Sequence, residues 1–284
     1  MLAPFQAALA AAKHVVVLTG AGVSAESGIP TFRGAQGLWR SFDPMELATP
    51  QAFVRNPGLV WEFYSWRREV AAACRPNRAH YAIAALERQL RQQGRRLTLI
   101  TQNVDRFHHQ AGSQAVIELH GSIWDVCVAG RGGRKAGPCW EDRRQPLCPG
   151  LAGRGAPDAH SAPDIPEQDL PHDEHGRLLR PGVVWFNEQL DPAVLEAADV
   201  ATASCDLFIT AGTSAVVYPA AGFAHIAAAQ GAAVAEFNLE ATDATGLCQF
   251  AFQGKAGELL PAAFGVEAEV EQLMAQAAAG GQGG

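Results

Sequence analysis

The sequence has no apolar run long enough to cross a bilayer, no secretory leader ahead of its first apolar stretch and no C-terminal lipidation motif, so no membrane role is expected. Cysteine is scarce: Cys74, Cys127, Cys139, Cys148, Cys205 and Cys248 are too few for a disulfide framework, which together with the missing leader points to a cytosolic protein. Basic residues are outnumbered, 22 Lys and Arg against 29 Asp and Glu. That balance argues against a nucleic-acid partner, because a phosphodiester backbone is held by clustered positive charge. The local cluster Arg131, Arg134, Lys135, Arg143, Arg144 and Arg154 reads as a solvated surface. No internal repeat is evident, and the Ala/Gly/Gln tail from Ala275 to Gly284 is too poor in large apolar side chains to bury a core and reads as frayed.

What is present is a globular composition, 48% hydrophobic and 18% charged over 284 residues, enough for one large domain or one domain with a smaller insert. Apolar, β-branched runs suggest strands at Val15 to Leu18, Leu97 to Thr101, Val116 to Leu119, Val183 to Phe186, Leu207 to Thr210 and Ala232 to Phe237. Helical patterns lie between several of them. Arg78 to Gln92 places Ile83, Leu86 and Leu90 on one face and ends before Gly94; Asp191-Pro192 and Pro219 open two more helices, and Asn56 to Ala73 is an aromatic-bearing helix that reads as a lid. Alternating strands and helices imply an α/β fold with a parallel sheet covered on both faces. Ser122 to Gly182, rich in Gly, Pro and Arg, breaks the rhythm and reads as an inserted small module.

After the first strand comes GAGVSAESGIPTFRG, Gly20 to Gly34. Gly20-Ala21-Gly22 lets the backbone turn sharply and approach a pyrophosphate, and Ser24 is placed to cap a short helix whose N–H groups face the phosphates. The glycines alone also fit a turn with no ligand. The dinucleotide fingerprint expects an acidic ribose-binding residue about 20 positions on, and here that stretch, TFRGAQGLWRSFDPMEL, reads as a loop.

Five more motifs follow in order: TQNVD (Thr101 to Asp105), LHGS (Leu119 to Ser122), VVWFNE (Val183 to Glu188), AGTSAVVYPAA (Ala211 to Ala221) and EFNLE (Glu236 to Glu240). In this order and at these distances the chain, from about residue 13 to about residue 265, resembles the sirtuins, NAD-dependent protein lysine deacylases. The resemblance implies a Rossmann-like parallel sheet with a small inserted helical and loop module. The expected division is an NAD-binding domain of residues 1–40, 75–122 and 183–284 and a small module of 41–74 and 123–182.

It also implies a set of site residues. Asn103 and Asp105 would hold the nicotinamide ribose and amide, and Gln102 the ribose. His120 would be the base that activates a ribose hydroxyl, with Asn103 beside it in catalysis. Phe32 would shield the ribose carbon and Arg33 hold the loop closed; Gly20, Ala21, Gly22, Ser24, Ala25, Glu26 and Trp39 complete that side of the cofactor. Gly212, Thr213, Ser214, Asn238, Glu240 and Ala256 would serve the adenosine half, with Leu239 where the family usually has threonine. Val184, Trp185, Phe186, Asn187, Glu188, Val217 and Tyr218 would supply two backbone edges between which an acyl-lysine peptide adds as a strand. Asn187 stands where the family normally has glycine.

Tyr64 and Arg67 lie three apart and so share a helix face. The guanidinium offers two donors to a carboxylate and the phenol a third. This pair, with VSAESGIPTFRG and LATP, resembles the desuccinylase and demalonylase branch, implying an acidic acyl substrate with acetyl-lysine a weaker one. Without the resemblance Arg67 reads as part of a solvated face with Arg68 and Glu69.

The family's structural zinc is usually held by two close cysteine pairs. Cys127 matches the first ligand, but Gly130 stands at the second, and LPHDEHGRLLRP offers only His172, Asp173 and His175 in place of the other pair. A rebuilt site from Cys127, Cys139 or Cys148 with His172 or His175 is the alternative; the expectation is that zinc is absent and packing holds the module. Mono-ADP-ribosylation of a protein and a catalytically weak NAD sensor remain rival readings.

Overall fold

The computed structural model describes residues 1–31, 39–157 and 164–280. Among the described residues are nine strands: β1 (His14–Thr19), β2 (Arg96–Thr101), β3 (Val116–Glu118), β4 (Gly121–Val128), β5 (Trp140–Glu141), β6 (Leu179–Val183), β7 (Leu207–Ala211), β8 (Ala233–Asn238) and β9 (Phe250–Gln253). The chain divides into two compact units, the first made of Met1–Ile29, Arg75–Leu119 and Asp191–Gly284, the second of Pro30–Cys74 and His120–Leu190.

The first unit is built on a six-stranded sheet of order β3-β2-β1-β7-β8-β9, every pair parallel. β1 and β7 lie at its centre and bury every residue, which is why each reads as a continuous apolar run without alternation. From β1 the chain winds outward through β2 and β3, then returns to β7 and winds the other way, so the strand order reverses between β1 and β7. In open α/β sheets, ligands bind outside the carboxyl ends of the strands at such a reversal.

The helices of this unit are set by their ends. Arg78–Gln92 starts on Asn77, whose Oδ1 accepts from the Ala79 N–H at 2.9 Å, and it stops where Gly94 takes φ +70° and the Arg95 N–H reaches back to the Leu90 carbonyl at 2.8 Å. Its buried face, with Ile83, Leu86 and Leu90, joins a core that also holds Phe5 and Phe237, whose rings meet edge to face at 5.4 Å. Pro192–Ala203 opens on Asp191, as the sequence suggests. The tail differs from expectation. Residues 275–280 are helical, in Glu267–Gly280, because alanine has the highest helix propensity and Val270 and Leu273 bury the preceding turns; the stretch is nonetheless exposed.

The second unit carries a three-stranded antiparallel sheet, β5-β4-β6, where the sequence suggested only helix and loop. β4 buries consecutive residues on both faces, so it lacks the period-two signal. β6, Leu-Arg-Pro-Gly-Val, has the composition of a turn. The strand expected at Val183 to Phe186 ends at Val183, leaving Val184 to Phe186 outside the ladder. The helix Pro57–Ala73 starts where Asn56 Oδ1 accepts from the Leu59 N–H at 2.8 Å, with proline at its first position. Among the described residues no helix is long and apolar enough to cross a membrane.

Candidate functional site

In the first unit, the turn after β1 and the turn after β7 meet at the sheet edge. The Gly22 N–H donates to the Gly212 carbonyl at 2.8 Å and the Gly20 N–H to the Ala211 carbonyl at 3.1 Å. A Cβ on Gly20 or Gly22 would stand 2.8 Å from Gly212 O; one on Gly212, at φ +58°, would stand 2.4 Å from Val23 N. Contact between the two turns therefore demands glycine at all three positions before any ligand is considered.

The helix expected to present free N–H groups, Ala21–Ala25, has only five residues, and the Gly22 N–H is already spent on Gly212. Its cap is Gly20, with no capping side chain, so Ser24 is not the cap. Ser24 instead lies inside the helix, 1% exposed, because its hydroxyl has better partners below. It donates to Asp105 Oδ2 at 2.7 Å and accepts from Asn103 Nδ2 at 3.2 Å.

Asn103 and Asp105 follow β2 and are both buried. Asn103 Nδ2 also donates to the Gly20 carbonyl at 3.0 Å, so its Oδ1 is the face left to accept from a ligand. Asp105 Oδ1 accepts from the Phe107 N–H at 2.9 Å. Two histidines that sequence reasoning did not single out complete this network. His80 Nδ1 accepts from the Asn77 N–H at 3.2 Å, which puts its proton on Nε2, 3.3 Å from Ser24 Oγ. His108 Nε2 lies 2.9 Å from Thr19 Oγ1, which donates its own hydrogen to Thr101 Oγ1, so His108 is the donor there. Its Nδ1 is buried with no hydrogen-bond partner among the described residues.

Burial pushes His80 down to about 3, and burial followed by repulsion from His80 holds His108 well below the usual histidine range. The only hint in the sequence was position: His80 one turn into a capped helix, His108 three residues after Asp105.

Thr213 joins three strand ends. Gln102 Nε2 donates to its Oγ1 at 2.9 Å and Asn238 Nδ2 to its carbonyl at 2.7 Å. Ser214 is half-buried, and Leu239 and Glu240 are exposed. Glu26 Oε1 accepts from the Gly257 N–H at 2.8 Å and so caps the helix Ala256–Phe264, with Ala256 buried beside it and Ala25 exposed. Val217 is half-buried and Tyr218 74% exposed. Phe32 and Arg33 lie outside the described residues.

In the second unit, His120 is half-buried ahead of β4, and its carbonyl accepts from the Val184 N–H at 2.9 Å. Gly121 must be glycine, because at φ +69° a Cβ would stand 2.4 Å from Gly182 O. Trp39 is fully buried and donates Nε1–H to the Gly155 carbonyl at 2.9 Å. The segment Val184 to Glu188 belongs to this unit. The Phe186 N–H donates to the Ala48 carbonyl of LATP at 2.9 Å, and the Phe186 ring is 41% exposed. Asn187 sits at φ +67°, the left-handed region where asparagine is the usual non-glycine occupant, which accounts for its standing in for glycine.

Glu188 faces inward. Its carboxylate takes two bonds from the fully buried Arg180 guanidinium, at 2.6 and 3.0 Å, and accepts from the Trp185 N–H at 2.9 Å. Tyr64 is 1% exposed, and its hydroxyl receives the Trp185 indole N–H at 2.9 Å. The Arg67 guanidinium lies 5.4 Å from the Tyr64 ring, so the two residues converge as their spacing predicts. The next residue, Arg68, bonds the carbonyls of Ile123, Asp142 and Arg144 and lies 5.0 Å over the Trp124 ring, fixing the helix to β4 and to the chain after β5.

The side chains named as candidate zinc ligands are engaged elsewhere. Cys127, in β4, is bonded in a disulfide to Cys139, the residue before β5, one step beyond the pair Val126 and Trp140. The module is thus held by a covalent link as well as by packing. His172 Nδ1 faces the Leu170 carbonyl and Asp173 bonds Arg177. Among the described residues no three His, Cys, Asp or Glu side chains converge as metal ligands.

Comparison with known proteins places these features. The Sir2 family pattern matches residues 20–219. The chain is 51% identical over 267 residues to the NAD-dependent protein deacylase sirtuin-5, mitochondrial, of Canis lupus familiaris, covering 92% of this chain and 84% of that protein. Identity to the protein of the same name from Xenopus tropicalis is 52%, with the same coverage. Among solved structures, a crystal structure of a Sir2 homolog–NAD complex superimposes with a TM-score of 0.78 at 42% identity, covering 95% of this chain and 94% of that one. The cytosolic location expected from the sequence does not stand, because these relatives are named as mitochondrial proteins.

Proposed function

Because the chain belongs to the Sir2 family, we propose that it is an NAD-dependent protein lysine deacylase that prefers acidic acyl groups such as malonyl and succinyl. The deacylase activity follows from relatives of that name at about half identity over nearly the whole chain. The acyl preference is carried by one observation, a buried Tyr64 with Arg67 beside it on the same helix face, both able to donate to a carboxylate.

The work divides between the units. In the first, the strand-end groups Gln102, Asn103, Asp105, Thr213 and Asn238 stand at the carboxyl edge beside the strand reversal, which supports their assignment to NAD. Bound NAD would supply a ribose carbon whose bond to nicotinamide breaks and which accepts the acyl oxygen. Asn103, with Nδ2 committed to Gly20 and Ser24, presents Oδ1 to hold the nicotinamide ribose or a water in place. Ser24 holds the Asp105 carboxylate. His120 takes the proton of a ribose hydroxyl, the usual work of a histidine near neutral pH. The ribose hydroxyl adds to the acyl carbon, one water is consumed as the lysine amine leaves, and the products are free lysine, nicotinamide and O-acyl-ADP-ribose.

The second unit keeps its β-module without zinc. Supporting this are the engagement of Cys127 with Cys139 and the glycine at position 130.

The testing experiment is NAD-dependent removal of succinyl against acetyl from one lysine peptide, by wild type, His120→Ala and Arg67→Met. Succinyl is removed faster by wild type, Arg67→Met loses that preference and His120→Ala is inactive. Binding of NAD with removal of neither group would refute the deacylase reading.

A further inference from the structure

The Tyr64 hydroxyl has two lone pairs and one hydrogen to place. Trp185, 2% exposed, donates its indole N–H to that oxygen at 2.9 Å, and an indole offers no acceptor in return. The Arg67 guanidinium, 5.4 Å from the centre of the Tyr64 ring, stands beside the same side chain and can only donate. With the indole N–H on one side of the phenol oxygen, the hydroxyl hydrogen is turned to the other side, where none of the described residues accepts it. We infer that Trp185 is a positioning residue for acyl specificity: by occupying the Tyr64 oxygen it makes the Tyr64 hydroxyl an obligate donor, so that Tyr64 and Arg67 together present only hydrogens and select a carboxylate over its neutral amide.

This rests on the acidic-acyl reading above and goes beyond it in naming what enforces the selection. The indole is held rigidly enough to do so. Arg180 lies 3.5 Å over its ring, Phe53 packs at 5.4 Å, and its backbone N–H is tied to Glu188, which the buried Arg180 grips with two bonds. Trp185 therefore cannot swing away to leave Tyr64 as an acceptor. Burial also raises the Tyr64 pKa above the usual phenol value, so the hydrogen stays on the oxygen throughout the neutral range.

A donor-only pair discriminates by chemistry. A succinyl carboxylate offers two charged oxygens and no hydrogen, and accepts from both side chains. The succinamyl group has nearly the same shape but replaces one oxygen with an NH2 that would face donors and find no acceptor.

The test compares kcat/KM for succinyl-lysine and succinamyl-lysine peptides in wild type, Trp185→Phe, Tyr64→Phe and the double variant. The readout is the succinyl-to-succinamyl ratio, from which any general loss of activity cancels. Trp185→Phe lowers the ratio about tenfold, through KM, in the wild-type background and leaves it unchanged in the Tyr64→Phe background, the signature of a residue acting through its neighbour. Replacing Trp185 with benzothienylalanine, which keeps the bulk of the ring and lacks the N–H, gives the same loss if packing alone is spared. An unchanged ratio with benzothienylalanine, or an equal fall in both backgrounds, overturns the inference. Failure of the acidic-acyl reading looks different: wild type then removes succinyl no faster than acetyl.

Discussion

The Ser24 hydroxyl donates to Asp105 Oδ2 across 2.7 Å, joining the glycine turn after β1 to the polar end of β2 inside one buried network. The bond has a charged acceptor, and such bonds contribute about 1.5–3 kcal/mol. Ser24→Ala removes it and leaves the Asn103 amide and the Asp105 carboxylate each short of a partner. We expect kcat/KM for NAD to fall by about 10- to 100-fold with the far-UV circular dichroism unchanged. Initial rates with NAD varied at saturating peptide measure it, and a loss under threefold would remove Ser24 from the NAD half.

Arg67→Met keeps the length of the side chain and deletes its donors. Loss of charge-assisted bonds to a carboxylate lowers succinyl-lysine turnover by about 100-fold relative to acetyl-lysine. Competition between the two peptides in one tube, read by mass spectrometry, gives the ratio directly.

Acid sensitivity follows from His80 and His108. Both have folded pKa values below the unfolded value of 6.5, His80 at about 3. Between those limits the unfolded chain binds protons that the folded chain refuses, so stability rises with pH, is fully present above about 6.5 and is lost as pH falls through the window. Each histidine contributes a slope approaching 1.4 kcal/mol per pH unit. Urea midpoints between pH 5 and pH 7 test this, and the slope should flatten in His80→Asn.

Thermal unfolding separates a cross-linked module from a metal-bound one. The Cys127–Cys139 disulfide closes a short loop, worth about 2–3 kcal/mol in the unfolded-chain picture, so reductant should lower Tm by roughly 5–10 °C. A strong chelator should leave Tm where it is. A fall on chelation would show that a metal holds the chain after all.

Much of this was legible in the residues. β1, β2, β7 and β8 announce themselves because buried parallel strands are continuous apolar runs, and Asp191 and Gly94 mark helix ends because their chemistry satisfies orphaned backbone groups. Tyr64 and Arg67 were visible because helical spacing fixes which side chains meet. The second unit's sheet was not, since β6 buries an arginine, a proline and a glycine, and Arg180 becomes intelligible only once Glu188 and the Trp185 ring are seen around it. His80 and His108 were missed for a similar reason: nothing in a sequence separates a histidine that closes a buried polar network from one on the surface. Ser24 was misplaced because capping is a local rule, and here a tertiary partner, Asp105, outcompeted it.

The meeting of Gly22 with Gly212 also sets a timetable. These turns belong to strands nearly two hundred residues apart in the chain, and β7 pairs with β1 from Val15 to Thr19. During synthesis, the first thirty residues leave the ribosome with their glycine turn unsupported, and β1 cannot be paired on its β7 side until the chain has been made as far as Ala211. The glycine turn is thus among the first segments translated and among the last to acquire its shape, and any shortened product that stops before Gly212 carries the motif without the geometry.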